Sequence, residues 1–109
     1  MKIIKGVNEK LELFSLNEEG EQKDKASFKD MYRTVISLSM GNSGDQALEM
    51  FELGLKIKGN KSDELELEDA EFKLLKDKVQ ENKLQQPAHF LGQLLLKLKV
   101  AENDTVKKG

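Results

Sequence analysis

The sequence contains no cysteine and no tryptophan, and only one proline, one histidine and one tyrosine among 109 residues. Each scarcity removes a class of chemistry. Without cysteine there is no disulfide, thiolate metal site or cysteine nucleophile, a composition that suits a reducing, intracellular setting. A single histidine cannot build a two- or three-histidine zinc site. A dominant sign of charge is also lacking: 18 basic residues face 20 acidic ones, for a net charge of −2, so the overall field does not favour a phosphate backbone. With no tryptophan and no interleaving of aromatic with basic residues, a stacking platform for single strands is disfavoured. Long apolar runs are absent as well. The run Leu94 to Leu96, three residues, is as long as any, against the ~20 that span a bilayer. The opening MKIIKGVNEK holds no apolar stretch of signal-peptide length. The expectation is a soluble protein of the cytoplasm that makes no membrane contact.

What is present is a lean mixture, 38% hydrophobic and 35% charged. A chain of this length forms one domain that hides roughly two-thirds of its unfolded surface. We expect that domain to span residues 1–101, with a β element over 1–25, a helical part over 27–101 and a flexible polar tail over 102–109. Loose alternation from Met1 to Leu16, a turn at Asn17-Glu18-Glu19-Gly20 and a return over Glu21 to Lys25 predict a short N-terminal β-hairpin. Ser27 opens a first helix as its cap, with Asp30 in the first turn. Its apolar positions are Phe28, Met31, Tyr32, Val35, Ile36 and Leu38, and Gly41 is read as a left-handed terminator. A second helix, capped by Ser43 or Asp45, carries Ala47, Leu48, Phe51, Leu55 and Ile57 as its apolar stripe. Gly54 inside it costs ~1 kcal/mol relative to alanine, which suggests close packing of a neighbour or simple drift.

Leu65 and Leu67 alternate with acidic residues as a short strand would. A third helix starts near Glu68 or Asp69 and buries Phe72, Leu75 and Val79, with Leu74 at its edge. Asn82 to Gln86 break it. Pro87 then stands in the first turn of a fourth helix, where its missing N–H costs nothing. Phe90, Leu91, Leu94, Leu95 and Leu98 form that helix's core stripe. The predicted class is α+β, α-dominant: a short N-terminal β-hairpin followed by about four amphipathic helices.

Reactive constellations are scarce. Six of the nine residues from Asp63 to Glu71 are acidic. If the helix began early, Glu64, Glu68 and Glu71 would share a face able to hold Mg²⁺ or Ca²⁺. Carboxylates that favour the positive end of a helix are the stronger reading. His89 stands beside Phe90 with no local nucleophile or orienting group, so it reads as structural. Ser37, Ser39 and Ser43 lie in no nucleophile elbow, and no glycine-rich run precedes a Lys-Ser/Thr pair. The positive charges of Lys97, Lys99, Lys107 and Lys108 suit a helix C-terminus. Gly92 suggests close approach of another helix, from this chain or from a second copy. We expect no catalytic residue, cofactor or metal.

Several short motifs occur in a fixed order: Asn17 to Gly20, Ser27, Leu55 to Ile57, Leu65-Glu66-Leu67 through Leu74-Leu75-Lys76, and Gly92-Gln93-Leu94-Leu95. In this order the chain resembles small proteins of unassigned role carried by tailed phages and prophages, and the likeness spans most of its length. Glu19-Gly20 stands where that group has Asp-Gly. The resemblance implies a phage-encoded accessory or assembly protein, in the host cytoplasm or the virion, with no active residues to carry across.

The apolar supply of the last helix exceeds one seam, and an extra apolar face in a small domain calls for a cover. Leu84, Leu96 and Val100 are therefore the candidate contact residues, for a protein partner or for self-association into a homo-oligomer. The leading expectation is a non-enzymatic interaction or assembly protein that works by helix docking. The alternative is a small regulator that binds a host protein or DNA through an exposed helix. A carboxylate–metal hydrolase centred on Glu64, Glu68 and Glu71 comes third.

Overall fold

A computed structural model describes residues 1–11 and 26–104. Its elements are β1 (Lys2–Lys5), α1 (Phe28–Leu38), α2 (Gly44–Gly59), β2 (Glu64–Leu67), α3 (Asp69–Glu81) and α4 (Ala88–Asp104). The class is α+β and α-dominant, with the four helices that apolar periodicity predicts. β1 takes β2 as its antiparallel partner, from Lys2 opposite Leu67 to Lys5 opposite Glu64. The predicted turn at 17–20 and return strand over 21–25 lie outside the described residues.

Alternation sets the faces of the strand pair. Leu65 and Leu67 are buried while Glu64 and Glu66 are exposed, so a one-residue slip would turn both leucines to water. Ile4 stands opposite Leu65 on the buried side. After β1, Gly6 takes φ +76°, a conformation that few side chains tolerate. That turn lets the N–H groups of Gly6 and Val7 both donate to the Asp63 carbonyl, at 2.9 and 3.0 Å. The Asn8 N–H donates to the Asp63 carboxylate at 2.9 Å.

The segment after Gly6 then meets the start of α1. Phe28 N–H donates to the Glu9 carbonyl (2.9 Å) and Lys29 N–H to the Val7 carbonyl (2.8 Å). Two first-turn donors that a helix cannot satisfy internally are thus paired. A third, the Asp30 N–H, donates to the Ser27 hydroxyl at 3.1 Å, the expected cap. Ser43 caps α2 in the same way by accepting from Gln46 N–H at 3.1 Å. Asn82, at φ 50°, ends α3.

One hydrophobic cluster draws on every element. Its fully buried members include Ile4, Tyr32, Leu53, Ile57, Leu67, Leu75 and Leu94. Tyr32 crosses this core and donates its hydroxyl to the Leu94 carbonyl at 2.7 Å, tying α1 to α4. Burial pushes its phenol pKa up, so the group stays a neutral donor. Lys76 bonds both carboxylate oxygens of Glu102 at 3.0 and 3.1 Å, which joins α3 to α4. Glu102 is helical, and α4 runs on to Asp104, three residues into the stretch expected to be tail.

Two expectations need correction. Gly41 is not left-handed, since α1 ends in an extended Ser39 and Gly6 is the glycine with positive φ among the described residues. Gly41 is needed for space instead: a Cβ there would come within 2.9 Å of the Ala47 backbone. The second correction concerns α2, which buries Met50, Leu53 and Ile57. Of the predicted stripe only Ile57 is inside, whereas Ala47, Leu48, Phe51 and Leu55 are exposed. Both sets repeat at helical spacing, and packing against α1 selects the one at 50, 53 and 57.

This assignment of faces has a direct check. In dilute solution Leu53→Ala costs about 2–5 kcal/mol by opening a cavity, while Phe51→Ala stays within about 0.5 kcal/mol. Urea unfolding of the two variants measures the difference, and the opposite order would mean that α2 is rotated.

Candidate functional site

Folding disperses the acidic segment. Asp63 is the acceptor for the turn after β1, Glu64 lies on β2 opposite Lys5, and Glu68 precedes the first turn of α3. Because α3 begins at Asp69, Glu64 shares no helical face with Glu68 and Glu71. Glu71 is committed elsewhere: its Oε1 accepts from Lys56 Nζ at 2.8 Å and from the Glu68 N–H at 2.8 Å. Partial burial raises its pKa, but the hydrogen bonds from Lys56 and Glu68 and the charge of Lys56 outweigh it, leaving the carboxyl below its usual 4.5. Among the described residues no three His, Asp or Glu side chains gather as a metal site would require.

The other residues singled out from the sequence fall into structural places. His89 is exposed and meets Phe90 ring edge to face, at 5.5 Å between centroids. Ser43 is the α2 cap, and Ser37 faces Gly54, 3.6 Å from the position a Cβ there would take. That is ordinary contact, so Gly54 is not forced by close packing. Gly92 looks onto open space, with nothing within 4 Å of a Cβ built there.

Lys78 is a residue that pattern reading missed. It is only 2% exposed, and its Nζ donates to the Met40 carbonyl at 3.0 Å, just beyond the end of α1, with Glu81 at 3.7 Å. The available signal was its position between Leu75 and Val79 on the buried stripe. A lysine reads as solvated unless its methylene stem is counted as apolar.

Two surfaces remain as candidate sites. The first is a cleft of about 970 Å³ between α4 and the strand pair, lined by Ile3, Phe28, Asp63, Leu96, Lys97 and Val100 among others. Leu96 and Val100, both predicted contact residues, stand one turn apart on α4 at 62% and 52% exposure. Lys97 is turned inward beside them, with its ammonium 4.3 Å from the Phe28 ring centroid and 3.1 Å from the Lys5 carbonyl. Its charge is engaged in a cation–π contact and a hydrogen bond. Leu84, the third predicted contact residue, is half-buried and packs on the core beside Val35 and Val79.

The second surface is the outer face of α2. Leu48, Phe51 and Leu55 are 56%, 63% and 52% exposed and recur at i, i+3 and i+7, one stripe along the helix. A groove of about 430 Å³ runs beside it toward α1, past Arg33, Ser37, Ala47, Gly54 and Lys58. Compared with known protein families, curated proteins and solved structures, the chain matches none.

The Lys56–Glu71 pair generates a pH prediction. A carboxyl whose folded pKa is lowered adds stability above its unfolded value and loses it as pH falls through the folded one. Glu71→Gln should therefore lower the melting temperature at pH 7, and the gap from wild type should close as pH drops below about 4.5. Melting curves from pH 7 to 3 test this. A gap that persists at pH 3 would assign the loss to packing.

Proposed function

We propose that this chain is a non-enzymatic interaction protein, of the accessory or assembly kind, that works by docking helix faces onto another protein chain or a further copy of itself. The carrying observation is the order of its exposed apolar residues. Single exposed leucines are commonplace, but Leu48, Phe51 and Leu55 share one stripe of α2, and Leu96 and Val100 share one face of α4. An apolar stripe left in water on a helix is the feature that helix-in-groove recognition uses. The separation of Glu64, on β2, from Glu68 and Glu71 at the start of α3 supports the same reading. The phage or prophage setting rests on the resemblance in motif order.

The alternative, a small regulator that grips a host protein or DNA through an exposed helix, would use these same faces. The near-neutral charge and the inward turn of Lys97 favour protein over DNA.

Two measurements test the proposal together. Solution mass by light scattering, over a hundredfold concentration range, reports self-association of the 12.4 kDa chain. Capture from a cell extract compares the wild type with Phe51→Asp and with the double variant Leu96→Asp/Val100→Asp. We expect at least one variant to abolish an association that the wild type makes. A monomeric mass throughout, with capture unaltered by every variant, would overturn the reading.

A further inference from the structure

We propose that residues 82–91, the α3–α4 connection with the first turn of α4, swing away from the end of α1 as one unit while the rest of the fold stays closed. This opening carries Leu84 from the edge of the core into water. The inference goes beyond the docking function proposed above and does not rest on it.

A polar mismatch marks the seam that opens. Ser39 Oγ, just past the end of α1, and Gln86 Oε1, on the connection, are the two buried side-chain polar atoms without a hydrogen-bond partner among the described residues. Both residues line one gap, together with Val35, Val79 and Leu84. The gap is too narrow to admit a water molecule. A buried polar atom that neither protein nor water satisfies favours any state that returns it to solvent. Here one such atom stands on each side of the seam, so a single movement hydrates both.

The packing that opposes the movement is thin. No residue from 80 to 93 is buried, although Val79 and Leu94 on either side are. Leu84, Phe90 and Leu91 are only half-buried where they rest on the core. A stretch with so little apolar burial can open at a free energy below that of global unfolding. Its backbone is also strained: Asn82 and Gln85 take φ 50° and 57°, a region uncommon for residues other than glycine.

Internal bonds make the segment move as one piece. Asn82 Oδ1 accepts from the Gln86 N–H at 2.8 Å, and Asn82 Nδ2 donates to the Gln86 carbonyl at 3.3 Å. Gln85 N–H donates to the Asn82 carbonyl at 2.9 Å, and the N–H groups of Phe90 and Leu91 both donate to the Pro87 carbonyl. These bonds begin and end inside the segment, so they travel with it. The flanks are fastened instead to the body. Lys78 holds the end of α1 to α3 through the Met40 carbonyl, and Tyr32 holds α4 at the Leu94 carbonyl. The hinges therefore fall at Asn82 and at Gly92, which weakens the helix just before Leu94.

Native-state hydrogen exchange of the purified chain, followed by NMR at low urea concentrations, reads the opening. The amides of residues 85, 86, 90 and 91 should share one exchange isotherm, with a urea dependence well below that of Leu75 and Val79. Ser39→Ala removes an unpaired atom on the α1 side, far in sequence from all four amides. It should slow the four by a common factor of roughly ten. Gln86→Met, which keeps the stem and removes the amide, should slow the same four. Unrelated rates at the four positions would mean separate fraying and would overturn the proposal. So would exchange of the four only together with Leu75 and Val79, or failure of either variant to slow them.

Discussion

The pairing of residues 2–5 with residues 64–67 is the constraint on which the other contacts depend. It closes a loop of about sixty residues, at an entropic cost on the order of 4 kcal/mol. Two short strands cannot offset that by their own ladder. The closure holds because Ile4 and Leu65 become core and because Asp63 takes three N–H groups from the turn that follows β1. That turn then supplies the carbonyls of Val7 and Glu9 to the open end of α1. A strand contact, a turn and a helix start are therefore one cooperative unit.

From this unit the four helices are placed by a few specific bonds laid over apolar packing. Tyr32 fixes α1 to α4, Lys76 fixes α3 to α4, Lys56 fixes α2 to α3, and Lys29 donates to the Asn60 carbonyl just past the end of α2. Three of these four are lysines, each reaching from one element to another. A chain with 35% charged residues thus uses charge to set geometry where its lean core only supplies cohesion. Glu71, one of the carboxylates that might have formed a metal site, is consumed in the same way by Lys56.

Much of this was legible in the residues themselves. The alternation at Leu65 and Leu67, the caps at Ser27 and Ser43, the stripe Phe72–Leu75–Val79 and the break near Asn82 each follow from local chemistry, and local chemistry decided them. The partner of β1 was not legible, because a strand's mate sixty residues away leaves no mark in its own segment. The face of α2 was misread for another reason. That helix has two apolar stripes of equal period, and only the position of α1 decides between them. Of the candidate contact residues, Leu96 and Val100 were found from surplus apolar supply on α4. Phe51, which period alone places in the core, stands on the exposed stripe of α2.

Lys78 has a consequence of another kind. The chain is rich in lysine, and most of the described lysines are exposed, open to acylating reagents. Lys78 holds its amine against the Met40 carbonyl inside the protein. It can be modified only when the end of α1 parts from α3, so its rate of acylation relative to the surface lysines is a built-in clock for that opening. The same shielding keeps it from any acetylating enzyme while the fold is closed, which separates Lys78 from the chemistry that reaches the exposed lysines.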